Sequence, residues 1–218
     1  MPVTGWTLPT RVGWTLMLFG SVLLVFISSR YLTMNPEVYF PRQREVYEAH
    51  TLGLMVHIGA MILGAAIGPF QFLRSFRARY PAAHRIAGRV YLLGTMVGGL
   101  GGLYLAQYSA SGAISDVGFG LLAVLVLLTG AMAYVRILQG RVQAHREWMT
   151  RSYALMLAAV TLRIYAPFLE ATLGEQDGYA IVAWACWVPN IVVAEWMIRT
   201  RFRRRPEAPR STRAASTP

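Results

Sequence analysis

The feature that most constrains this chain is a series of long apolar runs that lack charged residues. A helix needs about 20 apolar residues to cross the hydrocarbon core of a membrane. Runs of about this length cover residues 12–29, 49–73, 90–115, 117–135 and 178–194, and a further run at 152–169 is interrupted only by Arg163. The pattern predicts an all-α, polytopic membrane bundle with transmembrane helices at residues 12–32, 50–73, 87–110, 117–137, 148–169 and 179–198.

The composition favours a membrane protein over a soluble domain. Of the 218 residues, 55% are hydrophobic and 14% are charged, whereas soluble domains carry about 25% charged residues. The net charge of +11 does not indicate nucleic-acid binding, because the arginines lie in short loops beside apolar runs, as in the cytoplasmic loops of membrane proteins. The predicted partner is therefore the lipid bilayer and not nucleic acid.

The distribution of arginine predicts how the helices are oriented. Seventeen arginines precede the first helix, flank the turns after the second and fourth helices, or follow the sixth, and three lie on the other side. Because basic residues concentrate in cytoplasmic loops, we predict that both termini are cytoplasmic. Residues 1–202 then form one transmembrane domain, and residues 203–218 form a basic cytoplasmic tail that we expect to be disordered.

The spacing of glycine predicts close helix packing. The second predicted helix contains Gly64 and Gly68, and the third contains Gly94, Gly98 and Gly102 at four-residue intervals. This spacing places the glycines on one helix face, where they let two backbones approach closely. The alternative interpretation is that the glycine face makes room for a flat cofactor.

Two predicted cytoplasmic turns have similar sequences. They read HRxxxRxY from His84 and HRxxxxRxY from His145. With a gap of one residue, the similarity predicts that helices 2–3 and 4–5 are two copies of one hairpin, related by an axis along the membrane normal. His84 and His145 would then be equivalent positions that face a shared centre.

One candidate site lies near the predicted outer ends of helices 2 and 5. His57 is about seven residues into helix 2, roughly 10 Å below the outer surface at 1.5 Å per residue. Arg163 is expected at the same depth in helix 5, with Tyr104, Gln107 and Tyr165 in the same layer. A lone arginine in lipid is costly, so we expect this layer to be buried in protein or reached by water and to be a candidate cofactor or quinone site.

The second candidate site lies at the predicted cytoplasmic starts of helices 3 and 5. Haem b needs two axial imidazoles and cationic partners for its propionates. His84 and His145 are therefore candidate iron ligands, and Arg89 and Arg151 are candidate propionate partners, by analogy with the four-helix core of cytochrome b561. His57 has no histidine partner in helix 4, so one haem is the most that the sequence supports. The alternative is that these residues bind phosphate headgroups and satisfy helix ends.

Several segments of the chain resemble a known family. They are Gly68-Pro-Phe-Gln-Phe72 preceded by His57, His84-Arg-Ile-Ala-Gly-Arg-Val-Tyr91, His145-Arg-Glu-Trp-Met-Thr-Arg-Ser-Tyr153, Leu162-Arg163 and Trp187-Val-Pro-Asn190. Together they resemble the bacterial predicted-membrane-protein family catalogued as domain of unknown function 2306, over about residues 50–198. The resemblance implies a location in the bacterial inner membrane and supports the helix count. It implies no established activity.

Three functions fit these patterns. The first is a b-type haem-binding or quinone-linked electron-transfer protein, based on the two polar layers. The second is a small-molecule transporter or binding protein, although no broken pair of helices at mid-membrane is evident in the sequence. The third is a structural membrane component, in which the arginines serve only topology and lipid contact. No phosphate-binding loop, nucleophile elbow or HExxH motif supports a hydrolase.

Overall fold

A computed structural model describes residues 8–202, and the predicted tail at 203–218 lies outside this range. Within the described residues the regular secondary structure is entirely helical, as predicted. The helices are α1 Leu8–Ser29, α2 Arg44–Ala49, α3 Thr51–Gln71, α4 Arg74–Arg79, α5 Pro81–Ala106, α6 Ala113–Leu138, α7 Val142–Met156, α8 Ala158–Leu173, α9 Glu175–Ala185 and α10 Val188–Met197, followed by a π-helical turn Ile198–Phe202.

Six helical spans in the described chain are long and apolar enough to cross a membrane, which confirms the predicted number. The first four are formed by α1, α3, α5 and α6, the fifth by α7 and α8 together, and the sixth by α9 and α10 together. Large apolar side chains such as Phe19, Leu93 and Val192 are exposed on the outward faces of these spans. Such faces suit lipid and not water.

The predicted boundaries were wrong at the third and fifth spans. α5 begins at Pro81 and not near residue 87, and α7 begins at Val142 and not near residue 148. The uncharged run marks only the apolar part of each helix, whereas the helix itself continues past the basic residues at its start. Pro81 occupies the first turn, where its fixed φ and missing N–H are tolerated.

The fifth and sixth spans are both interrupted within their length. α7 gives way to α8 at Leu157, and α9 gives way to α10 at Cys186–Trp187. The amide of Asn190 in the sixth span donates to the carbonyl oxygen of Ala154 at 3.2 Å and to Thr161 Oγ1 at 3.0 Å. Asn190 therefore supplies a hydrogen bond beside the break in the fifth span. No broken pair of helices was evident in the sequence, because the residues around Leu157 include no proline or glycine.

The two ends of the bundle differ in structure. The basic end, defined by α4 and the turn at 139–141, carries the arginines that flank the two predicted cytoplasmic turns. The opposite end is covered by residues 30–49, which we call the cap. The cap consists of three short 3₁₀ turns, Arg30–Thr33, Pro36–Val38 and Pro41–Gln43, followed by α2. Prolines begin two of these turns, where a fixed φ favours a turn.

The glycine face of α5 packs directly on α3. A Cβ added to Gly94 would lie 2.9 Å from the carbonyl oxygen of Ala60, and one added to Gly98 would lie 2.7 Å from Met61 Sδ. Both distances are shorter than van der Waals contact. The packing interpretation is therefore confirmed at Gly94 and Gly98, where α3 fills the space beside α5.

The two matched tyrosines of the predicted hairpin repeat meet in the centre of the bundle. Tyr91 and Tyr153 are 0% and 2% exposed, and their ring centroids are 6.1 Å apart. Tyr91 Oη lies 2.9 Å from Ser152 Oγ, and Tyr153 Oη lies 2.7 Å from Ser21 Oγ. This arrangement agrees with a shared centre for the two hairpins, although the duplication itself stays a prediction.

Gly68 in α3 leaves room for the Tyr153 ring, and its replacement tests the packing of this centre. A Cβ at Gly68 would lie 1.9 Å from Tyr153 Cε2, and the Tyr153 hydroxyl group is held by Ser21. We expect Gly68→Ala to destabilise the protein by about 1–3 kcal/mol or more through overpacking, measured as a lower thermal midpoint in detergent. Gly59→Ala is the matched control, because a Cβ at Gly59 meets nothing within 4 Å. An equal midpoint for both variants would contradict this packing.

Candidate functional site

A cavity of about 250 Å³ lies beneath the cap, between α3, α5, α6 and the fifth and sixth spans. Its lining is mostly apolar. Polar side chains of the lining are contributed by Tyr31, Gln43, Tyr47, His57, Ser109, Arg163 and Tyr179. The cavity also includes residues from both helix breaks, namely Met156, Ala158 and Cys186. The structure thus brings His57 and Arg163, predicted to share one layer, into the same cavity.

His57 is held in one orientation by α5. Its Nδ1 lies 2.7 Å from the carbonyl oxygen of Gly98, and a carbonyl only accepts, so Nδ1 carries the proton. A neutral imidazole then has an unprotonated Nε2 that accepts a hydrogen bond. The close approach of the ring requires glycine on α5, because a Cβ at Gly102 would lie 3.0 Å from His57 Cε1.

Arg163 is held by one hydrogen bond within α8 and by one to α1. Its Nη1 donates to the carbonyl oxygen of Ala159 at 2.8 Å, and its Nη2 donates to Ser28 Oγ at 3.1 Å. A guanidinium group has five N–H donors, so three donors lie outside these two bonds. Arg163 can therefore stay docked and also donate to an acceptor in the cavity.

Tyrosines surround the arginine. Tyr31, Tyr47 and Tyr179 are the groups that interact electrostatically with Arg163. In the cap, burial of the hydroxyl group raises the pKa of Tyr47 well above its ordinary value, and Tyr179 and Tyr31 add to this rise while Arg163 opposes it. Tyr47 is therefore protonated throughout the physiological pH range, and its hydroxyl group is a hydrogen-bond donor.

Polar contacts at the rim of the cap hold the cap over the cavity. Arg42 Nε donates to Ser111 Oγ at 2.7 Å, and its guanidinium group also bonds Gln176 and pairs with Glu175. Next to it, Gln43 Nε2 donates to Ser109 Oγ at 3.4 Å. These contacts join the cap to the loop between α5 and α6 and to the start of α9, so the cavity is closed on this side by side chains.

Three other residues that were predicted for this layer do not line the cavity. Tyr104 Oη is 2.8 Å from Nδ1 of His50 near the cap end, and the amide of Gln107 bonds back to the Leu103 carbonyl oxygen. Tyr165 packs in an apolar cluster with Tyr179. Depth along a helix was predicted, but the direction of each side chain was not.

The cap residues were not predicted as part of the site. Tyr31 falls at the end of the first predicted helix, at residues 12–32, and Gln43 and Tyr47 lie in the connection that follows it. None of the three was predicted to bind a ligand. The sequence feature that could have indicated them is the series Tyr31, Tyr39 and Tyr47, with prolines between these tyrosines. Their rings pack on one another with centroids 5.4–6.2 Å apart.

At the basic end, the two arginines predicted to bind haem propionates have different surroundings. Arg151 forms two hydrogen bonds with Glu195, at 2.5 and 3.1 Å, and lies 4.7 Å above the Trp148 ring. Arg89 is exposed. Arg151 is thus already engaged by a carboxylate within the protein.

His84 and His145 both lie in the first turn of their helices and interact electrostatically with one another. Nδ1 of His145 lies 2.8 Å from the carbonyl oxygen of Ala133, which leaves Nε2 available as in metal-ligating histidines. Nδ1 of His84 is buried without a partner. The imidazole pair fits haem in part, but Arg151 does not serve as a free propionate partner. Haem ligation by this pair stays a prediction.

The fold and the cavity define a six-span helical membrane protein with an internal cavity beneath a cap, mostly apolar but lined in part by His57 and Arg163. Residues 54–198 match the model of a family described as predicted membrane protein (DUF2306), and this match covers well over half of the chain. The protein belongs to that family. Neither a curated protein nor a solved structure matches the chain. The matched region includes His57, Arg163, His84 and His145, whereas the cap precedes it.

Ser28 connects α1 to the buried arginine, and its removal tests this contact. Hydrogen bonds to a charged group contribute about 1.5–3 kcal/mol. We expect Ser28→Ala to lower the free energy of unfolding by that order, measured by thermal denaturation in detergent. Ser29→Ala is the matched control, because Ser29 is exposed and its hydroxyl bonds only the Phe26 carbonyl oxygen among the contacts described. An equal decrease in the free energy of unfolding in both variants would show that the contact between Ser28 and Arg163 does not stabilise the protein.

Proposed function

We propose that the protein binds a quinone-type headgroup in the cavity beneath the cap and is a quinone-linked membrane protein. The observation that carries this proposal is the pairing of His57 and Arg163 in one largely apolar cavity. A quinone ring is apolar on its faces and carries carbonyl acceptors at its edge. The cavity supplies apolar walls for the ring, together with a guanidinium group and tyrosine hydroxyl groups as donors.

The size of the cavity favours a single ring. Its volume of about 250 Å³ lies just below the roughly 300–1,000 Å³ of typical small-molecule sites. A single-ring headgroup is compatible with this space after small side-chain adjustments, whereas a four-pyrrole macrocycle is not. The redox proposal at this site is therefore built on a quinone and not on haem.

Arg163 and His57 have complementary roles in quinone binding. Arg163 donates hydrogen bonds to a quinone oxygen, and charge-assisted bonds of this kind are stronger than neutral ones. Nε2 of His57 accepts the hydroxyl hydrogen of the reduced quinol form. The site can thus recognise both the oxidised and the reduced headgroup, and electrons would be exchanged with a partner outside the described residues.

Transport of a small molecule through the same cavity is the second candidate function. The observation that favours it is the position of both broken spans, since Met156, Ala158 and Cys186 beside the breaks line the cavity. Discontinuous helices form the substrate sites of many secondary transporters. Accumulation of a labelled ligand inside vesicles, without any change in its redox state, would favour this function over the redox one.

We further propose that the basic end faces the cytoplasm of a bacterial inner membrane. The support comes from the whole sequence, in which 17 arginines fall on the predicted cytoplasmic side of the spans and 3 on the other side. Basic residues tend to stay in the cytoplasm. Fluorescence of a protein that folds only in the cytoplasm, fused to the C-terminus, tests this orientation, and its loss would contradict it.

Quinone binding is tested with a short-chain benzoquinone on the full-length protein in nanodiscs, by quenching of intrinsic fluorescence. We expect saturable binding that weakens about tenfold or more in His57→Leu and in Arg163→Gln, because each variant removes a polar contact to the headgroup. His50→Leu is the matched control for His57→Leu. His50 stacks on Tyr108 at 3.9 Å and lies outside the cavity lining, so its replacement should leave binding unchanged.

Two results would contradict the proposal. One is binding that does not saturate above the partitioning of the quinone into empty nanodiscs. The other is equal weakening by His57→Leu and His50→Leu, which would assign the effect to a general change at the cap end and not to the cavity.

A further inference from the structure

Buried polar atoms without hydrogen-bond partners mark a second location, at the basic end. Gln71 is the last residue of α3, and it is only 6% exposed. Neither Nε2 nor Oε1 of its amide has a hydrogen-bond partner. Because a buried amide that makes no hydrogen bonds costs free energy, this side chain indicates that a polar ligand belongs beside it.

The Gln71 amide and His84 lie along the same part of α5. Oε1 of Gln71 is 3.6 Å from the place that a Cβ on Gly88 would occupy. Gly88 follows His84 by one helical turn, so the two lie on the same face of α5. Nδ1 of His84 is also buried without a partner. Three unpartnered polar atoms therefore lie along one short stretch of the α3–α5 contact.

Positive charge is concentrated around these atoms. Arg77 Nη1 donates to the backbone carbonyl oxygen of Gln71 at 2.8 Å, which fixes the guanidinium group at the end of α3. Burial, followed by the charges of Arg146 and Arg74, lowers the pKa of Arg77. The groups that act electrostatically on His84 are also basic, namely Arg77, His145 and Arg85. An anion at this position would relieve the mutual repulsion of these side chains.

We propose that Gln71, His84 and Arg77 form a binding site for a phosphate group. A phosphate has several acceptor oxygens for Arg77 and for the Gln71 amide nitrogen, and a protonated phosphate oxygen can donate to Gln71 Oε1. The same chemistry is offered by the phosphomonoester headgroup of a lipid and by free phosphate. The site lies at the opposite end of the bundle from the quinone cavity, so the two proposals stand or fall separately.

The test compares thermal midpoints of the full-length protein in nanodiscs. One arm adds inorganic phosphate to phosphatidylcholine nanodiscs, against sodium chloride of equal ionic strength. The other arm replaces part of the lipid with phosphatidic acid. We expect one or both phosphate sources to raise the midpoint of the wild type. The responding arm identifies the source, because free phosphate and lipid phosphate are supplied separately.

Two variants and a matched control define the site. Arg77→Gln should weaken the response about tenfold or more in phosphate concentration, because a charge-assisted contact is lost. Arg79→Gln removes the same charge two residues away in α4, where Arg79 is exposed and lies over Tyr80, and it should keep the full response. Gln71→Leu should be at least as stable as the wild type without phosphate, because it removes an unpartnered amide, and it should lose the response.

The proposal is overturned if neither source raises the midpoint more than chloride does. It is also overturned if Arg77→Gln and Arg79→Gln lose the response equally, since this would indicate diffuse charge attraction. A Soret band in haem-supplemented protein that disappears on replacement of His84 would overturn it as well, because it would assign the histidine pair to haem.

Discussion

A charged arginine inside an apolar bundle is the constraint on which the rest of this structure depends. An arginine at the centre of a membrane helix costs about 2.5–3.5 kcal/mol by insertion measurements, so Arg163 needs polar partners from the protein. α1 supplies Ser28, the preceding turn of α8 supplies a backbone carbonyl oxygen, and tyrosines of the cap and α9 surround the group. α1, the cap and α9 thus each contribute a polar side chain that interacts with Arg163.

Close packing of α3 on α5 provides the rigid part of the site. Small residues on α5 let the α3 backbone approach, and the same approach brings His57 within hydrogen-bond distance of the Gly98 carbonyl oxygen. The imidazole is thereby fixed in position and tautomer before any ligand arrives. By contrast, the fifth and sixth spans are interrupted beside the cavity. The Asn190 amide of the sixth span donates hydrogen bonds on both sides of the interruption in the fifth span. One wall of the site is thus tightly packed, and the other is built from discontinuous helices.

The sequence predicted the parts of the fold that follow from hydropathy and spacing. The six spans, the glycine-mediated contact and the common depth of His57 and Arg163 were all accessible, because each depends on periodicity or on the length of an apolar run. The helix starts at Pro81 and Val142 could not be predicted in this way, because the uncharged run in each span begins about ten residues after the helix does. The break at Leu157 carries no proline or glycine, so nothing in the local sequence indicated it.

The role of the cap was beyond prediction for a different reason. Its tyrosines reach the cavity only because Arg42 and Gln43 bond residues more than 60 positions away, and such contacts leave no periodic signal. Two of the three serines of α1 could have been predicted as residues that contact other spans. Ser21 and Ser28 are seven residues apart, so they share a helix face, and each binds a buried polar group of another span. Serines at this spacing in an apolar span indicate a packed face.

The central claim is that the cavity beneath the cap, and not the lipid-facing surface, is where a small ligand binds. Photolabelling with a light-activated quinone, followed by mass spectrometry of the labelled peptides, tests this most directly. We expect adducts on cavity-lining residues such as Met61 and Tyr179, and their loss when an unreactive quinone is added in excess. Adducts that resist competition and are confined to exposed positions such as Leu63 or Val97 would contradict it.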